Sequence, residues 1–228
     1  MDPAGRGTRS RTLLLLGLLV VAGCGQQVVT RSDAPAAQAT QEAGASASPA
    51  AKAAVLWPAP PDPLERTVAA GLEPAPKEHL ANHVHAHLDV FVDGKPIVVP
   101  AGIGINIDDP EVHRFDVPDG SVAYGRIKLC ANPCISPLHT HDATGIIHTE
   151  SAVQESNTLG QFFTEWGVVL SDSCVGTYCR PQPLAFYING VAYTQDPRTI
   201  ELLDQTEIAI VIGTPPALIP TTADFSQA

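Results

Sequence analysis

The chain has 228 residues and carries 24 acidic against 13 basic side chains, a formal net charge of −11 that disfavours nucleic acid and anionic lipid headgroups as partners. Aromatic residues make up only 5%, so the usual anchors of a protein-binding patch are scarce.

The first two dozen residues read as an export signal. Arg6, Arg9 and Arg11 precede the apolar run from Leu13 to Ala22, too short for a permanent membrane span but long enough for a signal-peptide core. The run ends in Val21-Ala22-Gly23-Cys24, which resembles the bacterial lipobox. That resemblance implies removal of residues 1–23, diacylation of Cys24 and usually a further acyl chain such as palmitate. Two or more chains give a stable anchor where one gives marginal binding. The expected product is a lipoprotein of the cell membrane or outer membrane, facing the periplasm or exterior. Loss of the leader removes three arginines and one aspartate and leaves a net charge of about −13.

Residues 24–76 are rich in Ala, Gln, Ser, Thr and Pro, with few large apolar side chains before Val55. Such a composition cannot offset the entropy of ordering, so it predicts a tether, flexible to about residue 54. Pro58 to Pro63 should be extended, and Leu64 to Leu72 can form a short helix before Pro74 and Pro76 stop it. Residues 77–215 then form one globular domain, with 216–228 a C-terminal tail.

Within the domain, His87 to Val99 reads as a hairpin turning at Asp93-Gly94, and Leu184 to Tyr193 as another turning at Asn189-Gly190. The likeness of the two does not require duplication, because good hairpins resemble one another without shared ancestry. Thr158 to Trp166 is the one clear helix, with Asn157 placed to cap it and Gly167 to end it, and Glu207 to Gly213 is a final buried strand. The expected class is α+β, mostly β: antiparallel hairpins forming a sheet or small sandwich, with a helix near 158–166.

Six of the eight histidines fall in two clusters, His83, His85 and His87, then His139, His141 and His148, with Glu150 two residues on. Residues two apart on a strand share a face, so each His-x-His pair aims two imidazoles at one point. If the chain reverses over Asp142 to Gly145, His139 lies opposite His148, His141 lies opposite Ile146, and three histidines and Glu150 share a face. His85 and His87 are the members of the first cluster expected to face them, with His79 and His83 as loop residues or a secondary site. The candidate metal ligands are therefore His85, His87, His139, His141, His148 and Glu150, with Asp142 supporting them from behind. Any one histidine is more often a hydrogen-bonded structural residue, but two His-x-His pairs in one domain favour a metal.

Met1 is the only methionine and leaves with the expected signal, which argues against a methionine-rich copper(I) carrier and an axial-Met blue-copper site. Cys130, Cys134, Cys174 and Cys179 in an oxidising compartment make two disulfides; three connectivities exist, and the local pairs are favoured over a four-cysteine zinc site. A nitrogen and oxygen donor set suits zinc or copper(II), with iron(II) or manganese(II) behind them.

The run His85 to Gly104, the motif Leu138-His-Thr-His-Asp-Ala-Thr-Gly-Ile-Ile-His148 and the run Thr158 to Gly167 resemble a group of uncharacterised secreted or lipid-anchored prokaryotic proteins. The likeness spans most of residues 64–213. It implies an extracytoplasmic globular domain, and it assigns no activity and no functional residue.

No nucleophile-elbow, zincin, P-loop, dinucleotide or haem-attachment motif is present. The sequence thus points to metal binding for sequestration or delivery, ahead of a metal-dependent hydratase or hydrolase with Glu150 or Asp142 as base or orienting group. A surface interaction module without metal is the third reading. No protein partner can be named beyond the metal ion and the membrane reached through the lipid anchor.

Overall fold

The computed structural model describes residues 55–117 and 120–226. The leader, Cys24 and the tether up to residue 54 lie outside them. Helix α1 spans Pro63–Ala69, and the strands that follow are β1 Asn82–Val92, β2 Lys95–Ile97, β3 His113–Asp116, β4 Val122–Gly125, β5 Leu138–His139 and β6 Ile146–Ser151. Helix α2 spans Leu159–Trp166, and after it come β7 Cys174–Val175, β8 Tyr178–Cys179, β9 Leu184–Ile188, β10 Val191–Tyr193 and β11 Thr206–Ile212. The protein is α+β and mostly β. Among the described residues no helix is long and apolar enough to cross a membrane.

Both hairpin turns form where expected. Asp93 (φ 48°) with Gly94 (φ 75°) joins β1 to β2, and Asn189 (φ 49°) with Gly190 (φ 77°) joins β9 to β10. Two successive positive φ angles match the right-handed twist of the flanking strands, which is why Asp-Gly and Asn-Gly occupy these positions. The main sheet runs β10-β9-β11-β1-β6-β5, with β2 also paired to β1. It is mixed rather than purely antiparallel: β1 and β11 pair in parallel, Ala86 opposite Thr206 through Val92 opposite Ile212. Every residue of β11 is buried, as a strand covered on both faces requires.

Alternation divides β1 into two faces. Ala86, Leu88 and Val90 join Ile147, Ile208, Ile210 and Ile212 in a core covered by Leu159, Phe162, Phe163 and Trp166 of α2. His83, His85, His87 and Asp89 therefore point to the face away from α2. The same parity puts Leu138 and Ile147 in the core and leaves His139, His148 and Glu150 on the histidine face.

Three details differ from the sequence reading. The N-cap of α2 is Thr158, because Gln161 stands three residues on and the pair makes reciprocal bonds: Thr158 Oγ1 accepts from Gln161 N–H and Gln161 Oε1 accepts from Thr158 N–H. Asn157 is buried beside it and donates to Thr149 Oγ1 at 3.3 Å. The short helix ends at Ala69, before Gly71 (φ 77°). Residues 55–76, read as tether, are packed: Trp57 stands edge-on to Trp166 at 5.7 Å, its carbonyl accepts from Trp166 Nε1–H at 3.1 Å, and Ala75 bridges to Ile135. Trp57, Ala59 and Leu72 all pack against the core, so the segment is anchored along its length despite its proline content. The disulfides are the local pairs Cys130–Cys134 and Cys174–Cys179.

Candidate metal centre

Strand register builds the site. His139 of β5 lies opposite His148 of β6, and His148 lies opposite His85 of β1, so three imidazoles stand in a row across three strands. One step along, Glu150 lies opposite His83. His141 follows the end of β5 and is fixed to the β3–β4 hairpin instead of facing Ile146: its N–H at Nδ1 donates to the Tyr124 carbonyl at 2.6 Å, and its own carbonyl accepts from Tyr124 N–H at 2.8 Å. Gly125 leaves room for that ring, since a Cβ there would meet His141 Nδ1 at 3.0 Å.

His139 is fully buried, and its Nδ1 lies 3.0 Å from the Ser136 carbonyl. A carbonyl only accepts, so Nδ1 carries the proton in both His139 and His141. The two Nε2 atoms then present bare lone pairs, and they face each other at 3.2 Å. Burial, and then the charges of neighbouring imidazoles, hold His139 well below the usual histidine range and lower His141 as well, which disfavours a proton between them. His85 is pushed down to about 4 by burial and by His148 and His83.

Further polar atoms converge here without a partner. Among the described residues the buried nitrogens and oxygens lacking a hydrogen bond include His85 Nε2, His148 Nδ1 and Glu150 Oε2. Glu150 Oε1 lies 3.2 Å from His83 Nε2 and 3.5 Å from His148 Nδ1. Burial pushes the Glu150 carboxyl up, but its contacts with His148, His141 and His83 outweigh that and hold it below the usual range. Two sets of donor atoms lie within 4.8 Å of one another: His139, His141, His148 and Glu150, and His83, His85, His148 and Glu150. Either could hold a metal ion.

His87 does not join them. Its Nδ1 lies 2.7 Å from Glu207 Oε2 and its Nε2 lies 2.8 Å from the Thr144 carbonyl, in a separate group with Asp89. The reason is the parallel partner: β11 sets Glu207 directly opposite His87. Burial lowers His87, but the Glu207 hydrogen bond and charge outweigh it and raise it, so the imidazolium satisfies both acceptors. Asp142 does not touch the site; its Oδ1 accepts from the Thr144 N–H at 2.9 Å and from the Thr144 hydroxyl at 2.5 Å, shaping the turn whose carbonyl holds His87.

One contributor was expected only as a loop residue or a secondary site, and one escaped sequence reading. His83 lies in β1 and belongs to the second set. Glu78 Oε1 lies 4.0 Å from His141 Nε2, and burial together with Glu150 raises its carboxyl to about 7. A surface cleft of about 790 Å³ opens onto the centre, lined among others by Glu78, His83, Tyr124, Arg126, His141 and Glu150. No protein-family model matches the chain, and neither a curated protein nor a solved structure matches it significantly.

Proposed function

We propose that this protein is a lipid-anchored, extracytoplasmic binder of a divalent transition metal, held by His139, His141, His148 and Glu150 for sequestration or delivery. The observation that carries the reading is the pair of facing Nε2 atoms on His139 and His141, both rings tied to backbone carbonyls through Nδ1. Two lone pairs in a part-buried contact repel unless a cation lies between them, and a ring N–H donated to a carbonyl is how ligating histidines are oriented. Zinc holds imidazole nitrogens at about 2.0–2.1 Å with tetrahedral angles, which sets two of them about 3.3–3.4 Å apart. Adjacent ligands on square-planar copper(II) stand about 2.8 Å apart, and the 3.2 Å contact lies between the two spacings, so the donor set suits zinc or copper(II).

The cleft supports a second reading. An ion reached from a cavity lined by Glu78 and Arg126 is accessible to small molecules, which suits exchange with a partner and equally a metal-dependent hydratase or hydrolase. Ester hydrolysis or hydration activity that disappears on stripping the metal would establish the enzyme.

The test uses the full chain purified in detergent, analysed for bound metal, then stripped and titrated with zinc against a chromophoric chelator. Tight binding that is lost in H139A/H141A is the expected result, and wild-type protein that binds zinc no more tightly than scattered surface histidines overturns the assignment. The anchor is tested separately: Cys24→Ala should move the protein from the membrane fraction to the soluble one.

A further inference from the structure

Glu150 and His148 are shared by two sets of donors, and each set has two imidazoles of its own. The rings form one contiguous patch, His83 to His85 at 4.5 Å between centroids, His85 to His148 at 4.6 Å, and His148 to His141 at 4.5 Å. The ligands of a single tetrahedral ion lie within about 3.4 Å of one another. The two sets stay separate even at a span of 4.8 Å, so one ion cannot collect all five histidines.

An ion among His139, His141, His148 and Glu150 leaves the other end of the patch unexplained. An ion pair between half-exposed His83 and Glu150 accounts for Glu150 Oε1. It does nothing for His85 Nε2, which is buried without a hydrogen-bond partner. Glu150 has two oxygens, and Oε2 is also unpartnered while Oε1 faces His83. A carboxylate whose second oxygen is still unpartnered can bridge two metal ions, which then stand about 3.5–4 Å apart. Further carboxyl groups are at hand: Glu78 lies 4.0 Å from His141 Nε2, and Asp204 Oδ1 accepts from the His85 backbone N–H at 3.3 Å.

We propose that the centre is binuclear: a second divalent ion sits between His83 and His85 and shares the Glu150 carboxylate with the ion at His139 and His141. This rests on the metal-binding reading above and extends it. The second ion takes the more exposed position, because His83 lines the cleft and its side chain is 40% exposed whereas His139 is fully buried. It is therefore the weaker and more exchangeable of the two.

The experiment titrates the stripped full chain in detergent with zinc, and in parallel with copper(II) followed by electron paramagnetic resonance. Wild type should take up two equivalents, the second at least about tenfold more weakly. The copper(II) signal should grow through the first equivalent and broaden or fall through the second, as spins sharing a carboxylate couple. H83A/H85A should keep one equivalent with an uncoupled signal. His83→Ala alone, at an exposed position that contributes little packing, gives the same readout should the double variant fold poorly. Saturation of wild type at one equivalent overturns the proposal. So does a second equivalent that survives in H83A/H85A, a second signal that adds without coupling, or loss of both ions from folded His83→Ala. One equivalent lost only in H139A/H141A overturns the binuclear proposal and leaves the metal reading intact; no tight equivalent overturns both.

Discussion

The histidine face of the main sheet carries two groups, one around His87 and one around His139 and His141, and they differ in what completes them. At His87 each ring nitrogen faces an acceptor, the Thr144 carbonyl and the Glu207 carboxylate, and an imidazolium with a proton on each nitrogen satisfies the arrangement. At His139 and His141 the carbonyls have already claimed the protons, and two acceptors face each other. Residue types and burial are similar in the two places. The difference lies in which nitrogens the backbone occupies, so the count of donors and acceptors separates a structural histidine from a candidate ligand where composition cannot.

The largest expected effect breaks the metal side of that contrast. H139A/H141A should lower zinc affinity at least about 1,000-fold, since losing even an orienting partner behind a ligand costs about 10–100-fold. A competition titration measures it, and H87A should leave the same affinity unchanged within about twofold. The converse holds for folding. His87→Ala strands the buried Glu207 carboxylate and should cost about 3 kcal/mol in denaturant melts, the size expected when one partner of a buried pair is removed.

Glu165 sharpens the comparison as a buried carboxyl with no imidazole. The Ser136 hydroxyl donates to its Oε1 at 2.5 Å, yet burial raises it to about 8. Its folded value lies above its unfolded one, so the stability it contributes is complete below pH 4.5 and lost as pH rises through 8. Glu165→Gln cannot ionise and should overtake the wild type over that range, by on the order of 2 kcal/mol at pH 8 in thermal melts. The smallest expected effect is at Gly125. Gly125→Ala crowds His141 Nδ1 without touching the core and should weaken zinc about tenfold while leaving the melting temperature within a few degrees.

Local chemistry made part of this molecule legible in the sequence. Asp93-Gly94 and Asn189-Gly190 announce their turns because few other residue pairs accept two positive φ angles. The opposition of His139 and His148 follows from period-two alternation around a short turn, and cysteines four and five residues apart pair with each other. What stayed hidden is long-range. Nothing near His87 signals that Glu207, 120 residues away, will stand beside it, because parallel pairing leaves no turn to read. His141 owes its orientation to the Tyr124 main chain, and a carbonyl oxygen is the same in every residue. Whether His83 was a loop residue or part of a secondary site stayed open, because an alternating polar segment does not show where its strand begins.

The position of β11 has a consequence for how the chain reaches this state. The last strand in sequence sits between β9 and β1, so during synthesis the sheet exists as two separate ribbons until residues 206–212 have emerged. Each ribbon meanwhile presents an unpaired edge, and the contacts that close the seam span more than a hundred residues, an arrangement that slows folding and favours edge-to-edge association. A chain truncated before Thr206 would lose its central seam rather than its rim, although the cut removes only its final 23 residues.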